Sequence, residues 1–127
     1  MRRLALVLLV FLLTTPALAQ EALKPDDTIS GSLRFFRHQH PNGTRINVYQ
    51  ITVDHPRKFA EADEFCDPKN PPVTFHILVM DDKAKKAQLD WLLGKKITVV
   101  GDQFFCPETA WHIDDAVLSQ WHFPGRR

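Results

Sequence analysis

The sequence is poor in the residues that many chemistries depend on. Among its 127 residues are two cysteines, two methionines, one tyrosine and five glycines. Two cysteines alone are too few for a structural zinc site. There is no excess of charge either: 16 basic side chains face 15 acidic ones, for a net charge of +1. A nearly neutral surface excludes a protein built to grip nucleic acid or anionic lipid by counterion release. No G-x-S-x-G elbow occurs, and Ser30, Ser32 and Ser119 have no evident base partner. Internal repeats and low-complexity segments are also lacking.

No apolar run is long enough to span a bilayer, which takes about 20 residues. The longest, Leu4 to Leu13, has Arg2 and Arg3 before it, and Thr14, Thr15 and Pro16 end it. Ala17-Leu18-Ala19 then supplies the small-x-small pattern of a signal-peptidase site. The expectation is a signal peptide over residues 1–19, cleaved to leave Gln20 first, and a periplasmic or secreted protein with no stable membrane insertion after cleavage. No lipobox cysteine follows the run. Loss of Arg2 and Arg3 takes the net charge from +1 to −1, and export removes the chain from nucleic acid. In an oxidising compartment Cys66 and Cys106 read as a disulfide.

The rest of the chain organises into one domain. Residues 20–27 read as a flexible leader, 28–123 as the domain and 124–127 as a tail. Period-2 alternation predicts a first strand over Thr28 to Arg37, interrupted by Gly31, where a bend is expected. His40-Pro41-Asn42-Gly43-Thr44 is hairpin-turn chemistry; its Asn-Gly-Thr also matches a glycosylation sequon but reads as the turn. A second strand, Arg45 to Val53, is apolar on both faces. Four prolines between Asp54 and Pro72 exclude a long regular element, leaving room for a helical turn or two at Phe59 to Phe65. Val73 to Met80 reads as the third strand. Asp81 to Leu93 has helical spacing, with Asp81 or Asp82 as N-cap and Gly94 as the stop. Ala84, Ala87 or Gln88, Trp91 and Leu92 form its apolar stripe. Lys96 to Phe104 and Trp111 to Trp121 complete five strands.

A helix between the third and fourth of five strands is the order of an OB-like barrel. The expected fold is therefore mainly β: a small five-stranded OB-like barrel, plugged at one end by Trp91 or Leu92, with the first strand bending at Gly31 to pair twice.

The stretch Leu89 to Leu118 also resembles the C-terminal signature of an uncharacterised bacterial family of exported OB-like domains. That signature runs G-K-x-V-x-V-x-G, then a threonine-histidine segment ending in V-L. Gly94, Lys95, Ile97, Val99, Gly101, Thr109, His112, Val117 and Leu118 match it, and Ile29 to Leu33 resembles the family's first strand. Ile113 stands where a second histidine would follow His112, which weighs against a paired-histidine metal site. The resemblance implies the fold and the exported location. It implies no activity, since fold alone does not determine function.

Candidate functional residues follow from the barrel. OB barrels take oligomeric ligands across the sheet face and its loops. Phe36, Tyr49, Trp111 and Trp121 fall out of step with their strands' apolar faces and are candidate ligand-binding aromatics, with Arg34 and Arg45 as charged neighbours and Arg37 nearby. The leading expectation is a non-catalytic binding module with no cofactor and an envelope protein or glycan as its partner. The alternative is a periplasmic metal-binding protein. His38 and His40 share a strand face, with His112, with or without Asp114, or His55 as the third ligand; imidazole and carboxylate suit zinc or copper. Asp114 and Asp115 point to opposite faces if they lie on a strand, so they do not make an acid–base pair.

Overall fold

The computed structural model describes residues 22–61 and 64–125. The signal segment expected at residues 1–19 lies outside the described residues. Five strands and one helix follow in the order β1 (Asp27–Gln39), β2 (Arg45–Val53), β3 (Thr74–Ile77), α1 (Lys83–Leu92), β4 (Lys96–Phe105) and β5 (Ala116–His122). The strands close into a barrel in the spatial order β1-β2-β3-β5-β4. All contacts are antiparallel except β3 with β5, which run parallel. This is the OB-like barrel that the order of elements implies.

Closure depends on β1 pairing twice. Its C-terminal part pairs β2 and its N-terminal part pairs β4, and Gly31 through Ser32 serve both partners. At this fold-over the backbones come so close that a Cβ on Gly31 would sit 2.1 Å from the Thr52 carbonyl oxygen. Only glycine fits there.

The inner face carries Ile29, Leu33, Ile51, Phe75, Ile77, Ile97, Val99, Leu118 and Trp121, all buried. Each such side chain contributes roughly 1.5–3 kcal/mol. Helix α1 caps one end. Asp82 accepts from the Lys85 amide at 3.0 Å as N-cap. Gly94, at φ +79°, ends the helix and donates its amide to the Leu33 carbonyl at 2.8 Å, tying the helix to β1. The plug is Leu89, fully buried, assisted by Leu92. Trp91 instead faces outward and is 82 % exposed. The expected stripe was one position out of phase, because Lys85 lies within it, its ammonium over the Trp121 ring.

Other boundaries also differ from expectation. Leu23, in the expected leader, is buried and bridges Phe59, which packs on the core. Residues 59–61 form that bridge and a bend rather than a helix. The third strand is shorter than expected, and β5 begins at Ala116 instead of Trp111. Cys66 and Cys106 form a disulfide across a separation of 40 residues. It fastens the long β2–β3 connection to the start of the segment joining β4 to β5. Among the described residues no helix is long and apolar enough to cross a membrane.

Candidate functional site

Strand alternation sorts each barrel residue inward or outward. On β1, Leu33 and Phe35 continue the inner row, so Arg34, Phe36 and His38 face out. Direct register partners then define one outer row that crosses all five strands: Arg34 with Gln50, Gln50 with His76, His76 with Val117, and Val117 with Phe105. An outer row ordinarily meets water. Here Gln50 and His76 are each 3 % exposed and Val117 is fully buried.

What covers the row is the β4–β5 connection, residues 106–115, which lies over it as a strap. His112 meets the Phe105 ring edge-on at 5.0 Å. The Ile113 amide donates to Nδ1 of His76 at 3.1 Å. Nε2 of Gln50 donates to Oδ1 of Asp114, and Nε of Arg34 donates to Oε1 of Gln50. The Asp115 carboxylate accepts from the Val73 and Thr74 amides at 3.0 and 3.2 Å, pinning the strap's end to β3. At the strap's crest Trp111 stacks on His40 of the β1–β2 hairpin, with ring centres 3.9 Å apart and an angle of 22°. On β1 the Arg34 guanidinium lies over the Phe36 ring at 4.9 Å.

Electrostatics singles out two groups in this arrangement. Burial holds the His76 imidazole down to about 4, and the charge of His112 adds to the shift. Burial also raises the Asp114 carboxyl above its usual range. The Gln50 hydrogen bond pulls it back, Asp115 pushes it further, and Arg34 and His38 oppose the rise. Asp114 adopts φ +72°, a left-handed conformation unusual for a residue with a Cβ. Its Oδ2 is buried without a hydrogen-bond partner.

Of the expected ligand-binding residues, Arg34 and Phe36 lie outward on β1 on this face, and Trp111 lies on the strap. Tyr49 and Trp121 do not: they are 4 % and 2 % exposed. Both point into the barrel. Each finds an internal partner for its polar atom, as buried Tyr and Trp must: the Tyr49 hydroxyl donates to Asp90 and the Trp121 indole to the Leu78 carbonyl. Arg45 pairs in register with Gln39 and so faces the opposite side of the sheet from Arg34.

The alternative metal set is not assembled. His40 stacks on Trp111 and accepts the Asn42 amide on Nδ1, whereas Nδ1 of His112 accepts the Glu108 amide. His38 faces Asp114 only at the range of charge interaction. Among the described residues no three His, Cys, Asp or Glu side chains converge as a metal site.

Gln50 and His76 are the site residues that sequence reasoning missed. The available signal was a polar residue flanked on both sides by strongly apolar ones: Tyr49 and Ile51 around Gln50, Phe75 and Ile77 around His76. A compact cavity of about 160 Å³ lies elsewhere, lined by Leu23, Ile29, Val53 and Phe75 with Asp54, His55 and Arg57. Its walls are mainly apolar, and Arg57 is committed to Asp27 and the Thr28 carbonyl, so the strap face is the stronger candidate. Comparison of the chain with protein-family models, with curated proteins and with solved structures returns no match.

Proposed function

We propose that this chain is an exported, non-catalytic binding module of the bacterial envelope, and that its ligand is a glycan held between the β1–β2 hairpin and the strap. The observation that carries the reading is the His40–Trp111 stack. It joins the two loops that flank the ligand face of an OB barrel. Trp111 packs against His40 yet remains 46 % exposed. An indole face offers apolar contact to the C–H face of a pyranose, and the Arg34 guanidinium with the Gln50 amide and the His76 imidazole offers the hydrogen bonds that orient hydroxyls. The signal-like N-terminus and the Cys66–Cys106 bond support the exported setting.

The test is binding of solubilised envelope glycans to the purified protein by calorimetry. Trp111→Ala should lower affinity tenfold or more; unchanged affinity removes the platform from the mechanism. Intact mass of the exported protein tests the setting. It should match a chain starting at Gln20 and lacking two hydrogens; a full-length or fully reduced mass counts against export through this signal.

A protein partner is the second reading, and one feature favours it. Trp91 and Leu93 are exposed at the end of α1, and Phe35 is exposed on the strand that receives the helix. Recovery of one envelope protein by the wild type but not by Trp91→Ala would move the assignment to that surface.

A further inference from the structure

We propose that the strap carries a built-in stand-in for the ligand: the Ile113 N–H and the Asp114 carboxylate occupy on His76 and Gln50 the donor and acceptor places of a sugar's neighbouring hydroxyls, and the strap lifts when a glycan takes them. This rests on the glycan reading above and adds where the ligand's hydroxyls go.

The atoms dictate the polarity of the floor. Arg34 can only donate, so the Gln50 amide turns Oε1 toward it and offers Nε2 as a donor. The Ile113 amide can only donate, so Nδ1 of His76 is the unprotonated ring nitrogen and acts as an acceptor. Gln50 and His76 are direct register partners, so the floor presents one donor beside one acceptor. Successive strap residues, 113 and 114, supply the complement. A vicinal diol supplies it equally well, since each hydroxyl both donates and accepts.

The strap is a poor permanent lid. A lasting cover over a sheet face favours apolar groups beneath it, as Val117 is; Gln50 and His76 are polar, and their burial is offset only by the bonds they make to Arg34, Asp114 and Ile113. Asp114 keeps a buried oxygen without a partner and a left-handed backbone, both unfavourable in the closed state. These features fall within three residues of one another along the strap or directly beneath it. The strap's ends are fixed, by Cys106 in the disulfide and by Ala116 in β5, so the intervening residues can lift without dissociating. At the floor itself Gln50 and His76 are paired with strands on both sides, so there is no free strand edge there for an extended peptide to join, which favours a glycan as the occupant.

The experiment is amide hydrogen exchange by NMR on the disulfide-bonded protein, alone and with β-1,4-linked N-acetylglucosamine oligomers or soluble peptidoglycan fragments. In the free protein the Ile113 amide should exchange at least a hundredfold faster than those of Val48 and Val99. Ligand should further accelerate Ile113 while leaving the barrel amides unchanged. Gln50→Leu, its fold checked by thermal unfolding, should weaken binding at least tenfold. If the strap amides exchange only with global unfolding, the inference fails. Binding with Ile113 still protected overturns it too, but leaves the Trp111 platform standing. No binding of either probe sinks both.

Discussion

The Ile113 amide donates to Nδ1 of His76 at 3.1 Å, and that bond exists only while the imidazole is neutral. Protonation would set N–H against N–H. The His76 pKa is about 4 in the folded protein against 6.5 unperturbed. Between those values the unfolded chain binds a proton that the folded chain refuses. Stability is therefore complete above pH 6.5 and declines as pH falls toward 4, by at most about 3 kcal/mol. Asp114, with its raised pKa, acts in the opposite sense by relieving strain on protonation, and trims that loss. Urea unfolding at pH 7, 5.5 and 4 should show the decline, and His76→Gln, which keeps an acceptor without a titrating ring, should flatten it. Equal slopes in the two proteins would contradict this account.

Gly31→Ala should be among the most damaging single substitutions. The new methyl would meet the Thr52 carbonyl oxygen and carbon and the Ile51 side chain, all within 2.8 Å, and two of these atoms are backbone. A loss of about 3 kcal/mol or more is expected, read from denaturant midpoints. A loss under about 1 kcal/mol would mean that β1 does not need its tight fold-over.

Which parts of this were readable beforehand follows from physical cause. The bend at Gly31, the Asn42-Gly43 hairpin, the Asp82 cap and the Gly94 stop are local effects of backbone chemistry, and they stand where the residue types placed them. The start of β5 was misplaced because Trp111 to Asp115 carries strand-like residues whose partners are tertiary: Ile113 answers to His76, and Asp115 to the Val73 and Thr74 amides. Tyr49 and Trp121 looked like surface aromatics because amphipathic rings satisfy two environments, and only the Asp90 and Leu78 partners decide between them. Gln50 and His76 escaped notice because alternation predicts an outward side chain but not a strap lying over it.

Reducing the Cys66–Cys106 bond should cost about 4 kcal/mol on the loop-entropy account for a 40-residue separation. The loosening should concentrate in the β2–β3 connection and the strap, since β1, β2 and β4 keep their mutual pairing. Denaturation with and without reductant gives the magnitude, and amide exchange gives the location. Uniform loosening of every strand would contradict the assigned role.

Tyr49→Phe removes the bond to Asp90 that ties β2 to α1. In the wild type, burial and the adjacent carboxylate push the Tyr49 hydroxyl up to about 12, while that hydroxyl chiefly holds Asp90 below its usual range. The variant should lose about 1 kcal/mol, and the Asp90 titration should move upward by NMR. An unmoved Asp90 would show that Lys86, 3.4 Å away, is its effective partner.

The parallel pairing of β3 with β5 places the final strand between two earlier ones. Until Ala116–His122 is available the cylinder has a gap, β3 and β4 expose bare edges, and the strap has no downstream anchor. During synthesis the chain therefore stays unsealed until its last strand emerges.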